Sequence, residues 1–427
     1  MKKNVIQSEK QQLSPMPIRA DMAVIWDGVV SDIKNTLHST GYTHTIFTTT
    51  QRSSLFSQDI LFQLNLNDKK SLLTLKRATK DAVVMSVPGP VNILQSILEH
   101  NIDYIDEPYK VFDYGVSLVD EDNDLTTAPK QLHVFKAECV GDSMPVRDAE
   151  LILTTYRMLG QLGIKNLIVS INELGGKESR KKYYDDLALK AQPRYAKLCQ
   201  SLEYNPIRLY HELSDQESDM NLRLPHIVDY LSQEESQHFK SVLEFLETLD
   251  IPYDLDSGLA GSLGFNEGVY FEIRSQDYPE HVLVRGGRHN ELFALLGGES
   301  DSGSVGVEIY VDEIVSIVHE LKLRTVSEAK LPDVFVASIG PEGQKSALKI
   351  LSLIQNHGLG VKESFGLKSL KQQLLKAKKS DAEITLIVGR KEAVDGTVIL
   401  RDKESENQEV IPIEKLLSII SQKLNKL

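Results

Sequence analysis

Tyr109-Lys110-Val111-Phe112-Asp113-Tyr114 and His133-Val134-Phe135-Lys136-Ala137-Glu138 both read as strands, in a run of strands with few long helices between them. Short β-rich pieces lie upstream at residues 45–48, 71–75 and 83–87, and strand character returns at 167–171, 269–273 and 282–284. A βαβ series would put a crossover helix between successive strands. This pattern points instead to an antiparallel sheet. Its flanking helices are marked by period: residues 21–38 carry Ala23, Ile25, Trp26, Val29, Val30, Ile33 and Leu37 at helical spacing, and Gly41 supplies a C-terminal cap. Further helices are expected at 91–100, 148–162 and 312–323. Residues 176–250 form a helical, charged insertion with a hairpin of helices around 232–249, and Gly286-Gly287 reads as the opening of a turn.

The character changes near Pro332. Strands at 334–337, 384–388 and 397–401 alternate with helices at 343–358, 368–379 and 413–424, the mark of a small α/β domain with a mixed sheet. Two domains are therefore expected, residues 1–326 and 327–427. A chain of 427 residues is also too long for one compact core.

Composition excludes several classes. With 41% hydrophobic and 26% charged residues the chain is ordinary globular protein, and its formal charge of -13 removes a broad electrostatic footprint for nucleic acid. Any RNA contact must come from a local basic patch. The two cysteines, Cys139 and Cys199, make no CxxC pair or Cys/His cluster, so neither a disulfide framework nor a metal site is expected. The polar N-terminus argues against a signal peptide and the apolar runs are strand-sized, so a cytoplasmic protein without a membrane segment is expected. The cluster Gly297-Gly298 to Gly303 lacks the lysine of a phosphate loop.

Several segments, in order, resemble histidyl-tRNA synthetase, a class II aminoacyl-tRNA synthetase. Gly41-Tyr42 with Leu55-Phe56 is similar to the end of its motif 1, and Leu98-Glu99-His100 to a helix behind its ATP loop. Gln131-Leu132-His133 through Glu138 and Gly141 resembles the strand after motif 2, and Asp148-Ala149-Glu150-Leu151-Ile152 the helix start that follows. Asn172-Glu173-Leu174-Gly175, with Ser179-Arg180 and Tyr183, is similar to the next strand-to-helix junction. Gly286-Gly287-Arg288 and Leu296-Gly297-Gly298 resemble the glycine-arginine turn and the loop beyond it. Lys368 to Leu374 and Ala382 to Gly389 resemble the C-terminal anticodon-binding domain. The resemblance implies the class II catalytic fold, an α+β antiparallel sheet flanked by helices, followed by an anticodon-binding-like α/β domain, in a homodimer.

It also implies what the site should contain. Joining a carboxylate to the α-phosphate of ATP sets negative charge against negative charge, so fixed cations must neutralise it. Arginine suits the task because its planar fork binds phosphate oxygens bidentately and stays charged. The family uses arginines in motif 2, in motif 3 and in a histidine-specific stretch. Here those positions hold Val119, Glu313 and Gly261, and the aspartate of the histidine-specific stretch is Gly264. Where the family has arginine-proline-glutamate-glycine-threonine, this chain reads Ser86-Val87-Pro88-Gly89-Pro90. Losing one such clamp costs about 2.7–4 kcal/mol, or roughly 10²–10³ in rate. Losing three, one by charge reversal, removes nearly all catalysis even allowing for non-additivity. Only Arg285 and Arg288 stand near as replacements.

The expectation is an inactive paralogue that binds RNA or regulates, with no catalytic residues and no cofactor; ATP and Mg enter only if the chain is a divergent active ligase. A third reading is the regulatory subunit that partners ATP phosphoribosyltransferase. Glu138, Gln131, Glu121 and Arg288 are the candidate residual pocket. Glu138 matches the family carboxylate that holds the amino group of histidine, against a plain half-exposed strand residue. Arg288 either binds a ligand or ties a loop to the sheet, and His133 reads as a hydrogen-bonded core histidine. Lys368, Lys371, Lys376, Lys378 and Lys379, on a helix with Leu370, Leu374 and Ala377 facing inward, are the candidate RNA contacts or else a solvated face. Asp120 to Asp124 lacks the glycine and closing glutamate of a calcium hand.

Overall fold

A computed structural model describes residues 20–48, 50–57, 60, 74–75, 83–85, 90–105, 107–119, 130–187, 189, 225–259, 265–299, 302–323, 333–357, 359–365, 367, 369–403 and 407–424. It divides into two compact units, Met1–Arg324 and Thr325–Leu427.

In chain order the first unit contains α1 (Ala20–Ser39), β1 (Thr43–His44), β2 (Thr50–Arg52), β3 (Thr74–Leu75), β4 (Val83–Met85), α2 (Val91–Glu99), β5 (Tyr109–Val119) and β6 (Lys130–Val140). It continues with α3 (Pro145–Gln161), β7 (Leu167–Glu173), α4 (Gln233–Thr248), β8 (Tyr253–Leu255), β9 (Glu267–Ser275), β10 (Val284–Arg288), α5 (Asn290–Leu295), β11 (Ser304–Tyr310) and α6 (Val311–Glu320). Eight strands form one sheet in the order β1-β5-β6-β11-β10-β9-β7-β8. The pairs are antiparallel except at the two edges, where β1 runs parallel to β5 and β8 to β7. An antiparallel sheet can bury one face and leave the other polar, and this one does. Phe112, Phe135, Val169, Phe271 and Val307 point into a core closed by Ile25 and Ile33 of α1, Leu151 of α3, Val242 of α4 and Ile314 of α6. A smaller core, with Val91 and Leu94 of α2 and Phe293 of α5, packs on Val111 and Val140, on the other face at one end.

Two expectations are corrected here. Residues 232–249 hold one helix, α4, and not a hairpin. Its start is a capping box in which Ser232 Oγ accepts from Glu235 N and the Glu235 carboxylate accepts from Ser232 N. Gly286-Gly287 does not open a turn; it lies inside β10. A Cβ at Gly286 would run into the Val307 and Phe271 side chains, and one at Gly287 into Val269 O and the Tyr270 ring. These glycines serve close packing between strands, a demand that local sequence does not reveal.

The second unit is a mixed five-stranded sheet. Its elements are β12 (Val334–Ser338), α7 (Gly340–Gln355), β13 (Val361–Glu363), α8 (Leu370–Ser380), β14 (Ile384–Val388), α9 (Arg390–Asp395), β15 (Thr397–Asp402), β16 (Gln408–Pro412) and α10 (Leu416–Lys423), with strand order β13-β12-β14-β15-β16. β12 runs parallel to β13 and β14, and the other pairs are antiparallel. Ile350 of α7 and Leu416 of α10 cover one face; Ala377 of α8 packs on Phe335 and Ala337 across the other.

Candidate functional site: a charged cleft on the polar face of the sheet

Cross-strand register brings together a row that is scattered in sequence. Asp113 of β5 faces Lys136 of β6, Lys136 faces Glu308 of β11, Glu308 faces Arg285 of β10, and Arg285 faces Glu272 of β9. Glu272 then faces Ser170 of β7, and Ser170 faces Asp254 of β8. Directly opposed residues share a face, so these charges form an alternating ladder across the sheet. Lys136 Nζ is 3.8 Å from Glu308 Oε1. Arg285 Nε donates to Glu272 Oε1 at 2.8 Å, and Arg274 Nη2 reaches Glu272 Oε2 at 2.5 Å. Tyr310 OH donates to Glu308 at 2.9 Å while its ring lies 5.7 Å from the Arg285 guanidinium. Burial, then the neighbouring carboxylate Glu272, pushes the Tyr270 phenol well up. Burial likewise raises the Asp113 carboxyl, against the backbone N–H groups of Tyr114 and Phe47.

Above the ladder opens a cleft whose walls include Lys136, Glu138, Phe265, Tyr270, Arg285, His289 and Glu308. Lys136 and Arg285, the cations among its described walls, stand between carboxylates in the ladder. A row of this kind stabilises itself and, among the described residues of the cleft wall, leaves no cation pointing alone into the space above it.

Glu138 is 3% exposed, not half-exposed, and His289 Nε2 lies 2.7 Å from its Oε2. Arg288 is turned away from the cleft. Its Nε and Nη2 bind Asp148 at 2.9 and 2.6 Å, and it donates to Asp142 O and Met144 O, tying β10 to the start of α3. Glu313 sits in the first turn of α6 and bonds to His281 Nδ1. Its neighbour Asp312 accepts from His133 N at 2.6 Å and lies 3.2 Å from His133 Nδ1, while Trp26 meets the His133 ring edge-on. Acids at this helix N-terminus also complement the backbone dipole. Gln131 is exposed on β6. Val119 ends β5, and Glu121, Gly261, Lys368 and the 120–124 acidic stretch lie outside the described residues or side chains. Lys371, Lys376, Lys378 and Lys379 are exposed along α8, with Ala377 buried and Leu370 and Leu374 partly buried beneath. Among the described residues no group of three or more His, Cys, Asp or Glu could hold a metal ion.

The sheet ends carry two further buried acids. Glu173 Oε1 accepts from Gly175 N at 3.0 Å while Oε2 has no hydrogen-bond partner, and burial pushes the carboxyl up to about 8. Glu267 accepts from Glu291 N at 2.8 Å; burial, then the Glu291 charge, raises it to about 7. Sequence reasoning missed His289, Glu272, Glu308 and Tyr310. No local pattern signals them, because their partners lie on other strands.

Comparison with known proteins fits this geometry. The chain is 27% identical over 427 residues to the histidine–tRNA ligase of Caldicellulosiruptor bescii, covering 99% of this chain and 100% of that one. Apo histidyl-tRNA synthetase from S. aureus superposes with a TM-score of 0.72 at 21% identity, over 95% of this chain and 98% of that chain. The chain resembles histidyl-tRNA synthetase. A Bacillus halodurans protein described as an ATP phosphoribosyltransferase regulatory subunit/histidyl-tRNA synthetase shares the fold at a TM-score of 0.58 and 15% identity, over 90% and 98% of the two chains. The family model for the anticodon binding domain matches residues 333–423, inside the second unit. The architecture is thus that of the synthetase, with an antiparallel sheet followed by an anticodon-binding domain. Glu313, expected from the sequence to stand where the synthetase has its motif 3 arginine, bonds to His281, and Glu138, expected to match the histidine-holding carboxylate, lies 2.7 Å from His289.

Proposed function

We propose that this is a histidyl-tRNA synthetase-like protein that does not activate histidine and serves, as a cytoplasmic homodimer, as an RNA-binding or regulatory paralogue. The observation that carries the reading is the charge ladder, in which Lys136 and Arg285 are each flanked by carboxylates; the sequence reading of Glu313 as the motif 3 residue agrees with it. Phosphoryl chemistry on ATP needs fixed cations free to take up the phosphate charge. A triphosphate entering this cleft would have to break Lys136–Glu308 and Arg285–Glu272 and meet the freed carboxylates. For RNA, the anticodon binding model over 333–423 and the exposed lysines of α8 supply a local basic patch on an acidic protein. Histidine-dependent exchange of pyrophosphate into ATP is the test. The expected result is no exchange above a no-protein blank, and clear exchange would instead support an active ligase that uses ATP and Mg.

A second reading, a subunit regulating ATP phosphoribosyltransferase, is prompted by the Bacillus halodurans fold neighbour that bears that description. Copurification with a phosphoribosyltransferase supports it, and copurification with tRNA alone supports the first.

A further inference from the structure

His289 and Glu138 form a contact that the ladder does not explain. His289 Nε2 and Glu138 Oε2 are 2.7 Å apart, and each side chain is 4% exposed. The Phe265 ring closes edge-on against the imidazole, with centroids 5.9 Å apart and planes at 85°. The backbone is held from both sides. His289 N donates to Ser304 O at 3.1 Å, Ser304 N donates to Asn290 Oδ1 at 2.7 Å, and Arg288 is bound to Asp148. On the next strand Gly306 makes room, since a Cβ there would run into the Glu138 carboxylate. The acid therefore borders the cleft, lies beside an aromatic wall and receives an imidazole supplied by the chain itself.

We propose that His289 is a built-in surrogate ligand, whose imidazole fills a site at Glu138 that would otherwise take a small imidazole- or amine-class donor from solution. A buried carboxylate is costly without a donor, so this position requires one. A donor on fixed backbone loses no translational freedom on binding and acts at a high effective concentration. A free donor at millimolar concentration does not displace it. The intact site is closed, and truncating His289 uncovers it. This goes beyond the proposed function and uses a separate readout, binding without ATP, so either can fail while the other stands.

The test is calorimetric titration of imidazole into the full chain and three variants. The intact chain is expected to show no saturable binding. His289→Ala is expected to bind one imidazole per chain at least about 10-fold more tightly than the double variant His289→Ala with Glu138→Gln. His289→Gln, whose amide can donate to Glu138, is expected to stay closed. A folded His289→Ala chain that binds nothing, equal binding by the double variant, or saturable binding by the intact chain would each overturn the proposal. Should His289→Ala not fold, the intact chain gives the answer by NMR. Its His289 Nε2–H signal should resist exchange and stay unmoved up to about 1 mM imidazole, the weak end of the affinity scale; a saturable shift overturns the proposal.

Discussion

The two faces of the eight-stranded sheet solve opposite problems with the same strands. On β9, Val269, Phe271 and Ile273 go into the core under the helices, while Tyr270, Glu272 and Arg274 alternate onto the other face. The buried face is held by apolar contact, which needs no particular partner, only volume and period. The polar face is held by named pairs, each dependent on a residue from another strand. The difference teaches that the fold tolerates any well-packed hydrophobe on one side, whereas the other side is specified contact by contact.

The largest loss of stability is expected from the apolar side. Phe271→Ala removes a fully buried ring beneath α-helical cover and should cost about 3–5 kcal/mol, read by chemical denaturation. Arg285→Ala attacks the polar face and should cost less, about 1–2 kcal/mol. Glu272 stays buried and loses one donor, yet it keeps Arg274, and Arg285 itself is partly exposed. A loss as large as that of Phe271→Ala would mean that the ladder, and not the core, holds the sheet.

Glu173 sharpens the contrast through pH. Its folded carboxyl is raised to about 8, chiefly by burial and then by Asp148 and Glu235, against Gly175 N–H and Arg288. A raised folded value means that the native state binds the proton more tightly than the unfolded chain does. That contribution is full below the ordinary carboxylate range, and it is lost as pH climbs through about 8. The Tm of Glu173→Gln minus that of the unaltered chain should therefore grow from pH 5 to pH 8.5, while a flat difference would contradict the assignment. The smallest stability effect belongs to the second unit. Lys371→Glu and Lys378→Glu on the exposed face of α8 should each change stability by under about 0.5 kcal/mol. Each should nonetheless lower RNA affinity and flatten its salt slope by about 0.7–0.9, measured by filter binding.

Much of the apolar face could be read from sequence, because period is local. The helix at 21–38, the strands around 109–114 and 133–138 and the alternation after Pro332 all appear in the structure. The polar face could not, for the same reason. Asp113, Lys136, Glu308, Arg285 and Glu272 become a row only once five strands are in register. Gly286-Gly287 misleads for a related cause: a glycine pair suggests a turn, but here the need for small residues comes from Phe271 and Val307 on adjacent strands. Beside it, Arg288 has the more conspicuous charge for a ligand, yet its guanidinium is committed to Asp148, Asp142 and Met144, and it is the neighbouring His289 that reaches Glu138.

If the cleft's cations are held by its own acids, Mg-ATP titrated into the full chain meets no free cation, and the measurement requires no chemistry. No saturable heat is expected up to about 1 mM ATP, the upper end of ordinary enzyme substrate constants. Stoichiometric binding well below that, weakened by Lys136→Ala or Arg285→Ala, would contradict it.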